Sequence, residues 1–382
     1  MKFIHSFLFH LGLISIGSVL FIPFFKSFEH VKSENHQTQK SHSTLQRSKE
    51  NTNESNKLDL SHLEANQVDK LNNYVRFIFQ DNSHNYWFGT DAGAYLLTNE
   101  KLYLFDTSDG LIQNQIRKIQ QDKQGEIWFE TGGFGVNCWI QNHFINRSGH
   151  LESNSSIKPH WQLNRNDLWF CAGGGVYQLN QNTLYYLPFP TENVDVYPNT
   201  KLSKQSVYSI ARDKYGNMWF GTQALGVYCF NGSMFRWFTD HGLMGPAVLA
   251  ILEDKSGNMW FGTNGSGLFK FDGERLINIS RDFDFKKQNN LVKNKSDQSN
   301  LLHVWSLCED KKGNIWIGTG DSGIWCIDGT ECIHYNERNG LPACGIETIF
   351  CDHYGKLWIG TNGSGVFIFN DPKFQKYTPV LN

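Results

Sequence analysis

Three cations recur at one spacing in this chain: Arg76, Arg117 and Lys158 stand 41 residues apart. Each follows a Val or Ile that opens a short alternating run, and Tyr208, Leu249, Trp305 and Glu347 hold the same place in four further runs. The preceding residue is constant in type (Val75, Ile116, Ile157, Val207, Val248, Val304, Ile346), so it answers to a shared packing need, whereas the residue after it is free for other use. Arg side chains fork onto carboxylates and sulfates, and Tyr and Trp offer flat faces for stacking. If the seven runs converge on one axis, the variable residues circle a single opening suited to a carboxylated or sulfated ligand with flat sugar faces. Ordinary solvent-facing edge positions would give the same assortment. A second set, Asp91, Gln223, Asn264, Asp321 and Asn362, follows repeated Gly-Thr pairs and would open onto the same end. Such residues hydrogen-bond ligands, although tight turns favour them too. His303 and Glu347 are possible acid–base groups, but neither has a partner at a defined spacing. No Gly-x-Ser-x-Gly, His-Glu-x-x-His or phosphate-cradling glycine loop is present. The sequence therefore predicts ligand binding at these positions, with no catalytic residues, no metal site and no cofactor.

The elements that would position these residues are legible in a repeat. Asp-x-x-Gly-x-x-Trp-Phe/Ile-Gly-Thr, or a worn copy of it, recurs around Trp87, Trp128, Trp169, Trp219, Trp260, Trp316 and Trp358. A period in the low forties with four short strands per copy predicts an all-β, seven-bladed β-propeller of four-stranded antiparallel blades. In the fifth copy the strands read 248–254, 259–263, 267–271 and 275–279, with Asp272-Gly273 turning the last hairpin. The glycine of Asp-x-x-Gly is expected to take a positive φ, and the Trp to pack between blades. Two copies depart from the pattern. The third lacks the turn's Asp and Gly and has Pro159 in its inner strand, predicting a short or irregular strand; the second has Glu130 where most copies have Gly. No late strand latches onto an early one, and 58–63 resembles an outer strand able to pair at the seam. Two long connections, 188–205 and 281–303, should rise over the same end as the candidate residues.

Residues 1–25 hold a 19-residue apolar run, Phe7 to Phe25, read as a cleaved signal peptide or a signal anchor. Either reading implies export to the periplasm or cell surface, with an N-terminal membrane anchor in the second. Residues 26–57 are polar and read as a disordered linker, in which His30, His36 and His42 belong to a solvated tail. The propeller takes 58–382. A net charge of −2 and a pI near 6.7 give no footprint for nucleic acid. The eight cysteines form no Cys-x-x-Cys and read mainly as apolar filler, with Cys326 and Cys332 able to meet across one hairpin.

The segments Asp213 to Gly226, Asp254 to Gly267, Asp310 to Gly323 and Asp352 to Gly365 resemble the two-component regulator propeller repeat, and the likeness runs from about 75 to 379. That resemblance implies a sensor-type seven-bladed propeller like those in exported regions of hybrid histidine kinases, where propellers detect ligands, often glycan fragments. It also implies a membrane signalling partner, since this sequence holds one propeller and no kinase segment. A fainter likeness to streptogramin B lyases rests on the Gly-Asn-x-Trp-Phe pattern, and no catalytic residue of that family maps onto this chain. Three functions follow in order: a ligand-binding sensor-like propeller, a protein-interaction or surface scaffold, and a lyase-like enzyme.

Overall fold

The computed structural model describes residues 64–148, 161–180, 183–189, 203–282, 301–329 and 331–379. The leader, the linker, 58–63, Ile157 to Pro159 and most of both long connections lie outside the described residues. Seven antiparallel sheets follow one another along the chain and form seven blades. With strands A to D numbered from the axis outward, the A strands are Val75–Gln80, Ile116–Gln121, Val207–Arg212, Val248–Glu253, Val304–Glu309 and Ile346–Cys351 in blades 1, 2, 4, 5, 6 and 7. These six blades have four strands; blade 3 has three described strands, Leu168–Cys171, Gly175–Asn180 and Thr183–Pro188.

The repeated residues serve the architecture. In blade 5, Asp254 N–H donates to Asn258 O and Gly257 N–H to Asp254 O, closing the A–B turn, and Gly257 takes φ +87°. The Asp254 carboxylate accepts from the Trp260 indole at 2.8 Å and from the Asn258 side chain at 2.7 Å. The same Asp-to-indole bond spans 2.8–3.0 Å in blades 1, 2, 4, 6 and 7. Blade 3 lacks that Asp, and the Trp169 Nε1 is buried without a partner among the described residues. Each indole then packs into the next blade: Trp87 against Ile116 and Phe129, Trp219 against Val248 and Phe261, Trp316 against Ile346 and Ile359.

Blade 7 closes onto blade 1 by the same packing, with Trp358 against Val75, Ile78 and Phe88. Among the described residues no strand is exchanged at the seam. Instead Tyr86 Oη donates to Asp352 at 2.7 Å, His353 N–H to Gln80 Oε1 at 2.9 Å, and Gly365 N–H to Asn73 O at 2.7 Å. Next to the expected seam strand, Gln67 bridges Tyr103 on the outer strand of blade 1.

The Gly of Trp-Phe/Ile-Gly-Thr is demanded by this packing. A Cβ on Gly262 would sit 2.6 Å from Val304 Cγ1, and one on Gly360 2.7 Å from Val75 O. Glu130 stands at this position in blade 2, buried, and its carboxylate accepts Cys171 N–H of blade 3 at 2.8 Å. Gln120 Nε2 donates to Trp169 O at 3.0 Å, and Arg212 of blade 4 donates to Asn164 O and Asp167 O. Side chains of blades 2 and 4 thus bond blade 3: Glu130 and Gln120 reach the strand Leu168–Cys171, and Arg212 reaches the turn before it.

All eight cysteines are free. Cys326 pairs with Ile333 and Cys332 with Ile327, so the two thiols point to opposite faces of their sheet and join different core clusters. The hairpin disulfide is excluded by this register.

Candidate functional site

The variable positions share one backbone device. In all six described A strands the register with strand B slips between the first and third residues, as between Val75 and Phe77 or Val304 and Ser306. Arg76, Arg117, Tyr208, Leu249, Trp305 and Glu347 are therefore bulge residues. A bulge re-aims its side chain and frees it from the ladder, which is why these positions vary while the Val or Ile before them does not. Lys158, the seventh, lies outside the described residues.

The loops after Gly-Thr share this end. Gln223 N–H donates to Ser206 O, Asn264 N–H to Ala247 O, Gly320 N–H to His303 O and Asn362 N–H to Gly345 O, each acceptor standing just before its blade's A strand. The equivalent residue in blade 6 is Gly320. Asp321 falls one place later and is exposed, its carboxylate accepting from Ser322 Oγ at 3.1 Å.

Arg76 does not stand as an open cation. Its Nε lies 2.6 Å from Asp91 Oδ1 and its Nη1 3.5 Å from Glu347 Oε2 across the seam, while its guanidinium lies over Tyr74. Tyr74 Oη donates to Glu347 Oε1 at 3.1 Å, and Gln115 Nε2 to Asp91 Oδ1 at 3.1 Å. Burial pushes the Glu347 carboxyl above its ordinary value, opposed by the Arg76 charge and the Tyr74 hydrogen bond. Burial works against the Arg76 charge, but the Asp91 hydrogen bond and the pull of both carboxylates outweigh it and hold the guanidinium above its ordinary value. One Arg and two carboxylates make this sector neutral to acidic.

Arg117 lies over the Phe134 ring at 5.4 Å, with no carboxylate in ion-pair range among the described residues. Burial raises the Tyr208 hydroxyl above its ordinary value, opposed by the Arg117 charge. On blades 5 and 6 the Asn264 Oδ1 faces His303 Nδ1 at 3.0 Å and accepts from Trp305 Nε1 at 3.2 Å. Asn362 Oδ1 accepts from Gly345 N–H at 2.8 Å. A lyase-like reading asks for a His and a carboxylate within hydrogen-bond reach; His303 faces Asn264, and Glu347 faces Tyr74 and Arg76.

Sequence reasoning missed Tyr74, Gln115 and Phe134. Tyr74 and Gln115 immediately precede A strands, a position whose carbonyl accepts the loop N–H, so the repeat alignment carried a signal for them. No group of three or more His, Cys, Asp or Glu among the described residues is placed to hold a metal ion. No helix among them is long and apolar enough to cross a membrane.

Residues 201–224, 242–265, 298–321 and 340–363 match the family model described as two component regulator propeller. No curated protein matches the chain. Among solved structures, the extracellular domain of a protein described as the hybrid two component system BT3049 from B. thetaiotaomicron aligns with a TM-score of 0.60 and 23% identity, over 79% of this chain and 40% of that one. The extracellular domain of BT4673 from the same organism, described as a one component system, gives 0.56 and 19% over 82% and 40%. A streptogramin B lyase gives 0.56 and 13% over 78% and 94%. The chain thus spans about 40% of the length of the two sensor domains. It is a seven-bladed β-propeller that carries two-component regulator propeller repeats in its blades 4 to 7.

Proposed function

We propose that this chain is an exported, sensor-like propeller that binds an oligosaccharide across the end formed by the bulge residues and the loops after Gly-Thr, and passes that event to a membrane signalling partner. The observation that carries this reading is the recurrent bulge: six blades aim a different side chain from one backbone position toward one end, giving a variable surface on a constant frame. The apolar run from Phe7 to Phe25 supports export, and the repeat match with its sensor-domain structural neighbours supports a sensing role rather than an enzymatic one.

An acidic group on the ligand is best met by Arg117, with Lys158 from the next repeat as a second cation. Arg76 would engage an anion only by giving up Asp91 and Glu347. A charge-assisted contact contributes about 1.5–3 kcal/mol, so Arg117→Ala should weaken an anionic glycan roughly tenfold or more. The test is a glycan array of neutral, uronate-bearing and sulfated oligosaccharides probed with the purified protein, followed by titration of the tightest binder into wild type and Arg117→Ala. Equal affinities would remove the anionic assignment. Absence of any glycan binding would favour the protein-interaction scaffold, for which the outer edge strand of blade 4 offers Trp237, 50% exposed.

A further inference from the structure

Trp305 is the large aromatic residue among the described bulge positions whose surroundings are cut to fit it. A Cβ on Gly320 would lie 2.5 Å from Trp305 Cε2 and Cζ2, and a Cβ on Gly345 2.5 Å from Trp305 Cζ3. Neither glycine has a positive φ, so neither is needed for its backbone conformation. Both are needed for space. The two are neighbours, since a Cβ on Gly345 would also lie 3.1 Å from Gly320 O, and the ring therefore rests on a shared floor of backbone. Asn264 of blade 5 then takes the indole N–H, fixing the rotation of the ring in its plane. Blades 5, 6 and 7 each contribute one of these contacts, and the side chain stays only partly buried.

A part-exposed indole fixed on three sides loses little conformational freedom when something stacks on it. Around it stand hydrogen-bonding groups: Asn264, His303 and Asn362. Leu302, 42% exposed, lies next to His303 on the connection entering blade 6, its carbonyl accepting Gly265 N–H beside Asn264. An apolar face rimmed by hydrogen-bonding amide and imidazole groups matches a pyranose, whose C–H face is apolar and whose edge is hydroxyls.

Resting on the ligand-binding reading above, we infer that Trp305 is a preset stacking platform for one uncharged pyranose unit, with Asn264 and His303 reading its hydroxyls. The platform fixes which sugar is accepted on blades 5 and 6; any acidic unit of the same oligosaccharide falls to Arg117.

The tightest-binding glycan of the array is titrated into wild type, Trp305→Phe, Trp305→Ala, Gly345→Ala and Arg117→Ala. The Trp305 indole N–H resonance, assigned by its loss in Trp305→Phe, is followed in the same titration. Trp305→Ala should weaken binding about tenfold, Trp305→Phe should retain most of it, and the indole resonance should shift on saturation. Gly345→Ala leaves the indole in the chain but displaces it, and should weaken binding as Trp305→Ala does. Should Gly345→Ala fail to fold, the Phe and Ala variants decide alone. Trp305→Ala binding within twofold of wild type, with Arg117→Ala weakened, overturns the platform and leaves the ligand-binding reading standing. A wild type that binds no pyranose on the array overturns both.

Discussion

Asp352 holds the ring shut, and the consequences of removing it can be worked out. Its carboxylate, 2% exposed, accepts from Trp358 Nε1 at 2.8 Å, Tyr86 Oη at 2.7 Å, Tyr354 N–H at 2.9 Å and Lys356 N–H at 2.8 Å. The two amides sit in an exposed turn and can turn to water after Asp352→Ala. The indole cannot, since Trp358 is 3% exposed, and the Tyr86 hydroxyl is only partly able to. Leaving a buried donor unmet costs about 1–3 kcal/mol, so these two place Asp352→Ala at roughly 3 kcal/mol of lost stability. Asp254→Ala strands an indole and the Asn258 groups but no hydroxyl from a neighbouring blade, and should cost about 2 kcal/mol. Tyr86→Phe removes the seam bond alone, at about 1.5 kcal/mol. Because Asp352→Ala and Tyr86→Phe delete the same bond, the double variant should fall short of their sum by roughly 1–1.5 kcal/mol. Urea unfolding followed by tryptophan fluorescence and circular dichroism measures all four. A Tyr86→Phe protein within about 0.3 kcal/mol of wild type, or additive losses in the double variant, would show that the Tyr86–Asp352 bond contributes nothing to the seam.

The turn carboxylates also set the acid limit of the fold. Burial would raise Asp254, Asp310 and Asp352, but the indole and turn hydrogen bonds outweigh it and hold all three below the ordinary 3.8. A folded value below the unfolded one contributes stability that is present above pH 3.8 and lost as pH falls through the folded values, so urea midpoints should drop steeply below pH 4, and less steeply in Asp352→Asn. Glu130 has the opposite sign: burial raises its carboxyl above the ordinary 4.5, opposed by Lys118 and the Cys171 N–H, so it weakens the fold as pH rises through that window. Glu130→Gln keeps an acceptor for Cys171 N–H without the charge; its stability should match or exceed wild type at pH 7.5 and lose that advantage at pH 4.5, read by urea midpoints.

The period, the strand order and the glycine turn were legible because each answers to a local rule repeated from blade to blade, the turn glycine in five of them (Gly125, Gly216, Gly257, Gly313 and Gly355). What escaped was pairwise. Arg76 and Asp91 were both visible as candidates, yet nothing in their separate positions showed that they occupy each other. Aligning the repeats by strand would have shown it, since the bulge residue and the first loop residue of a blade are neighbours: Arg76 with Asp91, and Trp305 with Gly320. The Asp321 assignment slipped one place for the same reason, as Gly-Thr-Gly-Asp puts the glycine, not the acid, under the bulge. Glu130 read as an isolated departure because the sequence does not say that this position of one blade faces the next blade, where its carboxylate takes the Cys171 N–H. Cys326 and Cys332 lie close in the chain, but hairpin register, which fixes their faces, depends on the Gly329 turn.

A propeller that varies its ligand must change side chains at one end without disturbing the ring, and the bulge separates these demands. The first residue of five A strands (Val75, Ile116, Val248, Val304 and Ile346) is clamped over the preceding blade's glycine, where one added methyl meets Val or Ile at under 3 Å. One position later the side chain has left the ladder, so Arg, Tyr, Leu, Trp and Glu are all accommodated on the same backbone. The cost of variation is then moved to the loop after Gly-Thr, which must supply a counter-charge for Arg76 and a vacancy for Trp305. Bulge and loop residues are therefore expected to change together within a blade. Placing Trp at position 249 without converting Asn264 and His303, the counterparts of Gly320 and Gly345, should give a displaced, mobile indole, whereas Leu249→Trp with both Asn264→Gly and His303→Gly should hold it as Gly320 and Gly345 hold Trp305.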